Sequence, residues 1–126
     1  MGYDSIIQDI LADHPEIKFT DCRESDCATI FGMDYESFER DSWNIGGNEI
    51  VLGLYRGEED IRLAAFAHEV GHSLTDSFSN EAEAWARGFQ LLAEYGIEPT
   101  LDVIGYRDRC LRSHESAREA DRRSRG

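Results

Sequence analysis

The sequence predicts a single domain of the α+β class, in which a small, mostly antiparallel sheet packs on a central helix and other helices flank it. Three observations lead to this prediction. Apolar residues recur at helical spacing at the start and again in the second half, short segments of the first half alternate, and residues 57–74 carry two apolar stripes. A helix that is apolar on two sides is a buried one. A chain of 126 residues is long enough for one compact core.

The first half of the chain predicts one helix followed by short strands. Residues 4–13 carry isoleucine and leucine at helical spacing and stop at His14-Pro15. Residues 17–20 predict one strand and residues 28–31 another. Residues 42–45 and 49–54 predict a hairpin with its turn at 46–48. We expect its second strand to lie at the edge of the sheet, where an extended peptide could pair with it.

The second half of the chain predicts three helices. The central helix over 57–74 has acidic residues in its first turn, where they complement the helix dipole. A second helix runs over 80–95 and is closed by Gly96. A third starts near Pro99-Thr100 and fades around Ser113. We therefore place one domain at residues 1–115 and a polar, frayed tail at 116–126.

Composition excludes several classes of partner. The net charge of −13 argues against direct binding to nucleic acid, because neutralisation of phosphates dominates that affinity. No apolar run approaches the ~20 residues that span a bilayer, so no membrane association is expected. The three cysteines, Cys22, Cys27 and Cys110, are odd in number and lack C-x-x-C spacing, which makes a disulfide framework unexpected. These features predict a cytoplasmic protein.

The segment His68-Glu69-Val70-Gly71-His72 carries the chemistry. On a helix, residues four apart project from one face, so the two imidazoles can bind a single Zn²⁺ at the usual ~2.0–2.1 Å. Glu69 can reach a water at the metal without binding the metal itself. This is the H-E-x-x-H arrangement of zinc peptidases, in which the glutamate is the general base. Buried histidines also need partners, and a shared metal would supply one.

Catalytic zinc sites use three protein ligands, and residues 79–85 offer two glutamates for the third position. Glu81 shares a helix face with the small and apolar residues that can approach the central helix. Glu83 shares a face with polar residues and can form a capping box with Asn80. We predict Glu81 as the third ligand, with Glu83 as the alternative. Asp76 is read as a loop residue that could support a ligand.

A helix, short strands, the H-E-x-x-H helix and a further helix form the layout of a minimal zincin-like domain. The motif, together with Glu81-Ala82-Glu83-Ala84-Trp85-Ala86 and Leu91-Leu92, resembles the ImmA/IrrE-type metallopeptidases over residues 64–92. The resemblance implies a gluzincin-like domain with His68, His72 and Glu81 as zinc ligands and Glu69 as base. Relatives, many of them encoded by phages and mobile elements, are thought to cleave helix-turn-helix repressors. One departure is Trp85, which stands where relatives often have Asn or Asp.

The predicted function is zinc-dependent hydrolysis of peptide bonds, with a protein or peptide as substrate and a helix-turn-helix repressor as the partner that the resemblance suggests. A donor for the oxyanion is also required. The sequence does not choose among the four candidates, which are Tyr55, Tyr95, Tyr106 and His114. Two alternatives stay open: a non-catalytic binding module that zinc stabilises, with Asp76 or a cysteine as fourth ligand, and a zinc hydrolase of a non-peptide substrate.

Overall fold

The computed structural model describes residues 3–23, 29–30, 42–46, 48–55, 58–75 and 81–125. This part of the chain mixes helices with a small sheet, as the α+β prediction requires. Its elements are, in chain order, α1 (Tyr3–Asp13), β1 (Lys18–Asp21), β2 (Ser42–Gly46), β3 (Glu49–Leu52), α2 (Glu59–Thr75), α3 (Glu81–Glu94) and α4 (Leu101–Arg125). Within the described residues, no helix combines the length and the apolar character that crossing a bilayer requires.

The described sheet has three strands in the order β1-β3-β2. β2 and β3 pair antiparallel, which confirms the predicted hairpin, whereas β1 and β3 pair parallel with Phe19 opposite Ile50. The prediction of a mostly antiparallel sheet was therefore wrong. A short turn forces β2 and β3 to run antiparallel, but β1 reaches β3 through a long connection, which leaves its direction open.

The position of β3 corrects a second prediction. β3 lies between β1 and β2, so among the described strands it is the central one and not the edge. Its pairing groups are therefore occupied on both sides, and a peptide could not add to it. The strand predicted at 28–31 was also wrong where it is described, because Thr29 and Ile30 are helical; the rest of that segment lies outside the described residues.

Helix α2 is the centre of the core, as its two apolar stripes predicted. Every residue from Ile61 to His72 is buried, and Phe66, Ala67 and Val70 have no exposed surface. Phe19 of β1 meets Phe66 edge-on, with ring centroids 5.4 Å apart. A helix covered on all sides holds its polar residues away from water, so each of them needs a partner within the protein.

Helices α2 and α3 touch backbone to backbone. A Cβ atom added at Gly71 would lie 2.2 Å from the carbonyl oxygen of Ala84, and one added at Gly88 would lie 2.8 Å from that of Ala67. Carbon atoms do not approach oxygen so closely, so only glycine fits at these two positions. The two glycines thereby set the separation of the helices.

A buried arginine joins α2 to α1 and β1. Arg62 is 1% exposed, and its guanidinium lies 2.9 Å from Asp4 and 2.6 Å from Asp21. Arg23 contacts the same two carboxylates. Burial alone would raise the pKa of Asp21, but hydrogen bonds from Arg23 and Arg62 outweigh burial and lower it. Asp21 is therefore held as the carboxylate that Arg62 needs.

The ends of α3 and α4 are set by local chemistry. Gly96 has a φ of 78°, and the amides of Gly96 and Ile97 donate to the carbonyls of Ala93 and Leu92. This is the Schellman pattern and confirms Gly96 as the residue that closes α3. The hydroxyl of Thr100 accepts a hydrogen bond from the amide of Val103 and so caps α4 where its start was predicted.

The predicted end of the last helix was wrong, because α4 continues past Ser113 to Arg125. The residues after Ser113 are polar but include many Arg, Glu and Ala, which are good helix formers, and no Gly or Pro interrupts them. A polar segment does not pack in the core, but it can still continue a helix. The domain boundary at residue 115 stays a prediction.

The expectation about the cysteines also needs correction. Cys22 is disulfide-bonded, whereas Cys110 is half-buried and does not form a disulfide. The odd number of cysteines in the chain did not exclude one bridge. Cysteine usage therefore no longer argues for a reducing compartment.

We expect Gly71→Ala to lower the free energy of unfolding by about 1–3 kcal/mol or more, because the added methyl must push α2 and α3 apart. The matched control is Gly105→Ala in α4, where the nearest atom to an added Cβ is the end of the Arg109 side chain at 3.6 Å. That change should be neutral or stabilising by roughly 0.5–1 kcal/mol. Urea denaturation of both variants measures the difference, and equal stabilities would contradict the close crossing.

We expect Asp21→Asn to lower the free energy of unfolding at pH 7 by about 2 kcal/mol, since it removes a charged partner of a buried arginine. The pKa of Asp21 lies below its ordinary value of 3.8, so its stabilisation is present above that pH and is lost as the pH falls through the lower, folded value. The gap between the wild type and D21N should therefore narrow in acid. A gap that widens as the pH falls would contradict this assignment.

Candidate metal centre

The two histidines of the motif lie on one face of α2. The ring centroids of His68 and His72 are 4.7 Å apart, and the residues are 8% and 4% exposed. The apolar stripes of α2 draw this stretch into the core, and the spacing of four residues places both rings one turn apart. The structure thus brings the imidazoles together in a site largely shielded from water.

Glu81 is the first residue of α3 and reaches across to both histidines. Its Oε2 lies 2.7 Å from Nε2 of His68 and 3.3 Å from Nε2 of His72. One ligand atom from each of the three residues lies within 4.8 Å of the others. A tetrahedral Zn²⁺ with ligand bonds of ~2.0–2.1 Å would hold its ligand atoms roughly 3.3 Å apart. The three side chains would therefore fit a shared ion if the Glu81 carboxylate moved slightly away from His68.

The protonation state of Glu81 also fits a ligand. Burial alone would raise the pKa of its carboxyl group, but the hydrogen bonds with His68 and His72 outweigh burial and hold the pKa far below its ordinary value. Glu81 is therefore a carboxylate at neutral pH, which is the form that binds a cation. Two imidazoles and one carboxylate form a set that recurs in catalytic zinc sites.

The alternatives for the third position lie elsewhere. Glu83 is exposed, because it points to the polar side of α3 as the helical spacing predicted. Asp76 and Asn80 lie outside the described residues. Among the cysteines, Cys22 is disulfide-bonded, so it offers no thiolate. Within the described part of the chain, the metal-ligand cluster contains His68, His72 and Glu81.

Glu69 is buried beside the first histidine. It is 6% exposed, and its Oε1 lies 3.4 Å from Nδ1 of His68. Nδ1 is the ring nitrogen opposite the Nε2 that faces Glu81. The Glu69 carboxylate therefore lies on the Nδ1 side of His68, away from Glu81. It is not part of the cluster formed by His68, His72 and Glu81.

Trp85 forms one wall of the site, a role that the sequence did not predict. Its ring stacks on the His68 ring with centroids 4.3 Å apart and planes 4° from parallel. Trp85 is 1% exposed. The signal was its spacing, because Trp85 follows Glu81 by one helical turn and therefore faces the same side of α3. The helical spacing placed the predicted ligand Glu81 on this face, but no role at the site was predicted for Trp85.

One candidate oxyanion donor, Tyr106, lies next to Trp85, and a second, Tyr55, lies beside Tyr106. Tyr106 packs edge-on against Trp85 with centroids 6.0 Å apart, and its hydroxyl lies 3.5 Å from that of Tyr55. Burial raises the pKa of Tyr106, and hydrogen bonds with Tyr55 and Cys110 raise it further. Tyr55 is 1% exposed and has a φ of 44°, a strained conformation for an aromatic residue. The Tyr106 phenol therefore remains neutral at physiological pH.

The other two candidates do not join this group. Tyr95 lies near the end of α3, and a helix that rises ~1.5 Å per residue carries it roughly 20 Å from Glu81. Its hydroxyl donates to Asp13 of α1, and this hydrogen bond raises the pKa of Tyr95 to about 12. The side chain of His114 lies outside the described residues.

Comparisons of the chain with protein families, with curated proteins and with solved structures find no match in any of the three. The cluster itself is therefore the basis for assigning a function. His68, His72 and Glu81 supply a ligand set that fits a divalent cation, and Glu69 and Trp85 contact the first of these ligands.

Proposed function

We propose that the chain is a zinc-dependent metallopeptidase. The observation that supports this most directly is the convergence of His68, His72 and Glu81, contributed by two helices in a buried site. Exposed acidic groups often gather without a metal, but here two buried imidazoles and a partly buried carboxylate converge with their ligand atoms within 4.8 Å of one another. The H-E-x-x-H spacing adds a second carboxylate, Glu69, in contact with the first ligand.

In this proposal His68, His72 and Glu81 hold the ion, and Glu69 does the proton transfer. When bound, Zn²⁺ would polarise the scissile carbonyl and lower the pKa of a water towards ~7. Glu69 accepts the proton of the attacking water and delivers it to the leaving amine. Tyr106, which packs against Trp85, or Tyr55, whose hydroxyl lies beside that of Tyr106, would supply a hydrogen bond to the oxyanion.

The substrate class follows from charge and from the resemblance. An acidic protein with a net charge of −13 favours basic or neutral segments over acidic ones. The resemblance of residues 64–92 to the ImmA/IrrE-type metallopeptidases suggests a helix-turn-helix repressor as the protein cleaved. A repressor substrate would place the activity in the cytoplasm, and the chain would act on the repressor without binding DNA itself.

One observation favours a second candidate, a non-catalytic module that zinc stabilises. Glu69 lies 3.4 Å from Nδ1 of His68, which is where a supporting carboxylate orients a ligand histidine. A glutamate committed to that task would not take a proton from water. The chain would then bind a basic partner through its acidic surface and cleave nothing. The two candidates differ in what Glu69 does, so one substitution separates them.

We expect Glu69→Gln to retain zinc and to lower the rate of peptide cleavage by about 10²–10⁴-fold, because glutamine cannot accept a proton. Zinc per chain is measured by mass spectrometry, and cleavage is measured on an internally quenched peptide library and on purified helix-turn-helix repressors. Wild-type protein stripped with a chelator is the control for metal dependence. A wild type that binds zinc but cleaves no substrate, with weaker zinc binding in E69Q, would favour the non-catalytic module.

We expect Glu81→Gln and His72→Ala to lose zinc, since each removes one of three ligands. Glu83→Gln is the matched control, because Glu83 lies two residues further along the same helix and is exposed. E83Q should keep a stoichiometric amount of zinc after dialysis, whereas E81Q and H72A should keep a small fraction of it. Loss of zinc from E83Q with retention by E81Q would contradict the ligand assignment.

A further inference from the structure

The stacking of Trp85 on His68 is unusually close to parallel. The two planes deviate by 4°, and the centroids are 4.3 Å apart, so the indole lies flat against one face of the imidazole. The contact shields that face from water and restricts rotation of the ring about its side-chain bonds. By contrast, the hydrogen bond between Nε2 of His68 and Glu81 lies at the edge of the ring. The stack fixes the plane of the ring, and the hydrogen bond fixes the direction of its edge.

Trp85 is itself held in place from two sides. Phe89, one turn further along α3, meets it edge-on at 5.8 Å, and Tyr106 of α4 meets it edge-on at 6.0 Å. The guanidinium of Arg107 lies 5.1 Å from the centre of the Phe89 ring. Edge-to-face contacts of this kind restrict the orientation of an aromatic ring. The wall against His68 is thus anchored to α4 as well as to α3.

The chemistry of an indole limits how Trp85 can act. An indole carries one N–H donor and no acceptor, so it cannot accept a hydrogen bond from an imidazole. Among the described residues, the Nε1–H of Trp85 meets no acceptor either. Hydrogen bonding therefore does not explain why this large residue is buried against a candidate ligand. Contact between the two ring faces does.

We propose that Trp85 is a positioning residue that holds the imidazole of His68 by stacking, with Nε2 directed at Glu81, so that zinc affinity depends on an aromatic ring at this position. The inference rests on the proposed zinc site. Ligand histidines are usually oriented by hydrogen-bonding groups, whereas here the flat face of an indole would orient the ring. Ordering the ring before the ion arrives reduces the entropy that binding must remove.

Zinc affinity of three proteins tests this, measured by competition with a chromophoric chelator. Trp85→Phe keeps a ring that can stack and should bind Zn²⁺ within a few-fold of the wild type. Trp85→Leu keeps apolar bulk without a flat ring and should bind about 10–100-fold more weakly, the usual effect of losing a group that orients a ligand. Thermal unfolding in excess chelator reports how far each variant destabilises the zinc-free fold.

The outcomes separate the inference from the proposed function. A wild type that does not bind Zn²⁺ overturns both. A wild type that binds Zn²⁺, together with a W85L variant of equal affinity, overturns the positioning role and leaves the zinc site standing. Equal losses of affinity in W85F and W85L also overturn it, because they would show that bulk and not stacking matters.

A second readout needs no metal. In zinc-free protein, a proton on the His68 ring lies over the indole, so its NMR resonance should be shifted upfield. W85L should move that resonance towards its ordinary position, and W85F should leave part of the shift. His68→Gln identifies the resonance by its disappearance. A His68 resonance that does not change in W85L would show that the rings are not stacked in solution and would overturn the proposal.

Discussion

The backbone contact between α2 and α3 determines the geometry of the site. Gly71 lies directly before His72 in sequence and touches the backbone of Ala84, which follows Glu81 by less than one helical turn. The contact that fixes the helices therefore also fixes the carboxylate relative to the imidazoles. A Cβ at Gly71 would lie 2.2 Å from the carbonyl oxygen of Ala84, so the helices would have to separate by more than the ~0.5 Å within which a functional site must hold its side chains. The geometry of the three candidate ligands therefore depends on glycine at both positions.

The other end of α2 is fixed by charge. Arg62 precedes His68 by six residues and is fully buried against Asp4 and Asp21. Removing one partner would leave an uncompensated buried charge, which is far more costly than the pair itself is stabilising. The network therefore specifies how α1 and β1 sit on α2. Together with the glycine contact, it fixes the motif helix at both ends of its buried stretch.

Much of this arrangement follows from patterns that the sequence carries. The spacing of four residues placed His68 and His72 together, and the helical faces of α3 separated Glu81 from the exposed Glu83. The features that could not be predicted depend on what a segment packs against, and not only on its own residues. Alternation identifies a strand such as β1 without giving its direction, and polarity did not reveal that α4 continues to Arg125. Nor does spacing report which rotamer an aromatic ring adopts, so the wall at Trp85 was missed.

Trp85 cannot accept a hydrogen bond from the ring of His68, and this affects the role that Glu69 can have. A ligand histidine usually donates its second ring N–H to an acceptor. Trp85 cannot accept it, whereas the carboxylate of Glu69 lies 3.4 Å from Nδ1 of His68. A general base must instead reach a water beside the metal, on the Nε2 side of the ring. The position of Glu69 in the zinc-bound protein therefore distinguishes an enzyme from a binding module. If stacking is sufficient to keep His68 oriented, Glu69 can move away from Nδ1 and act as a base.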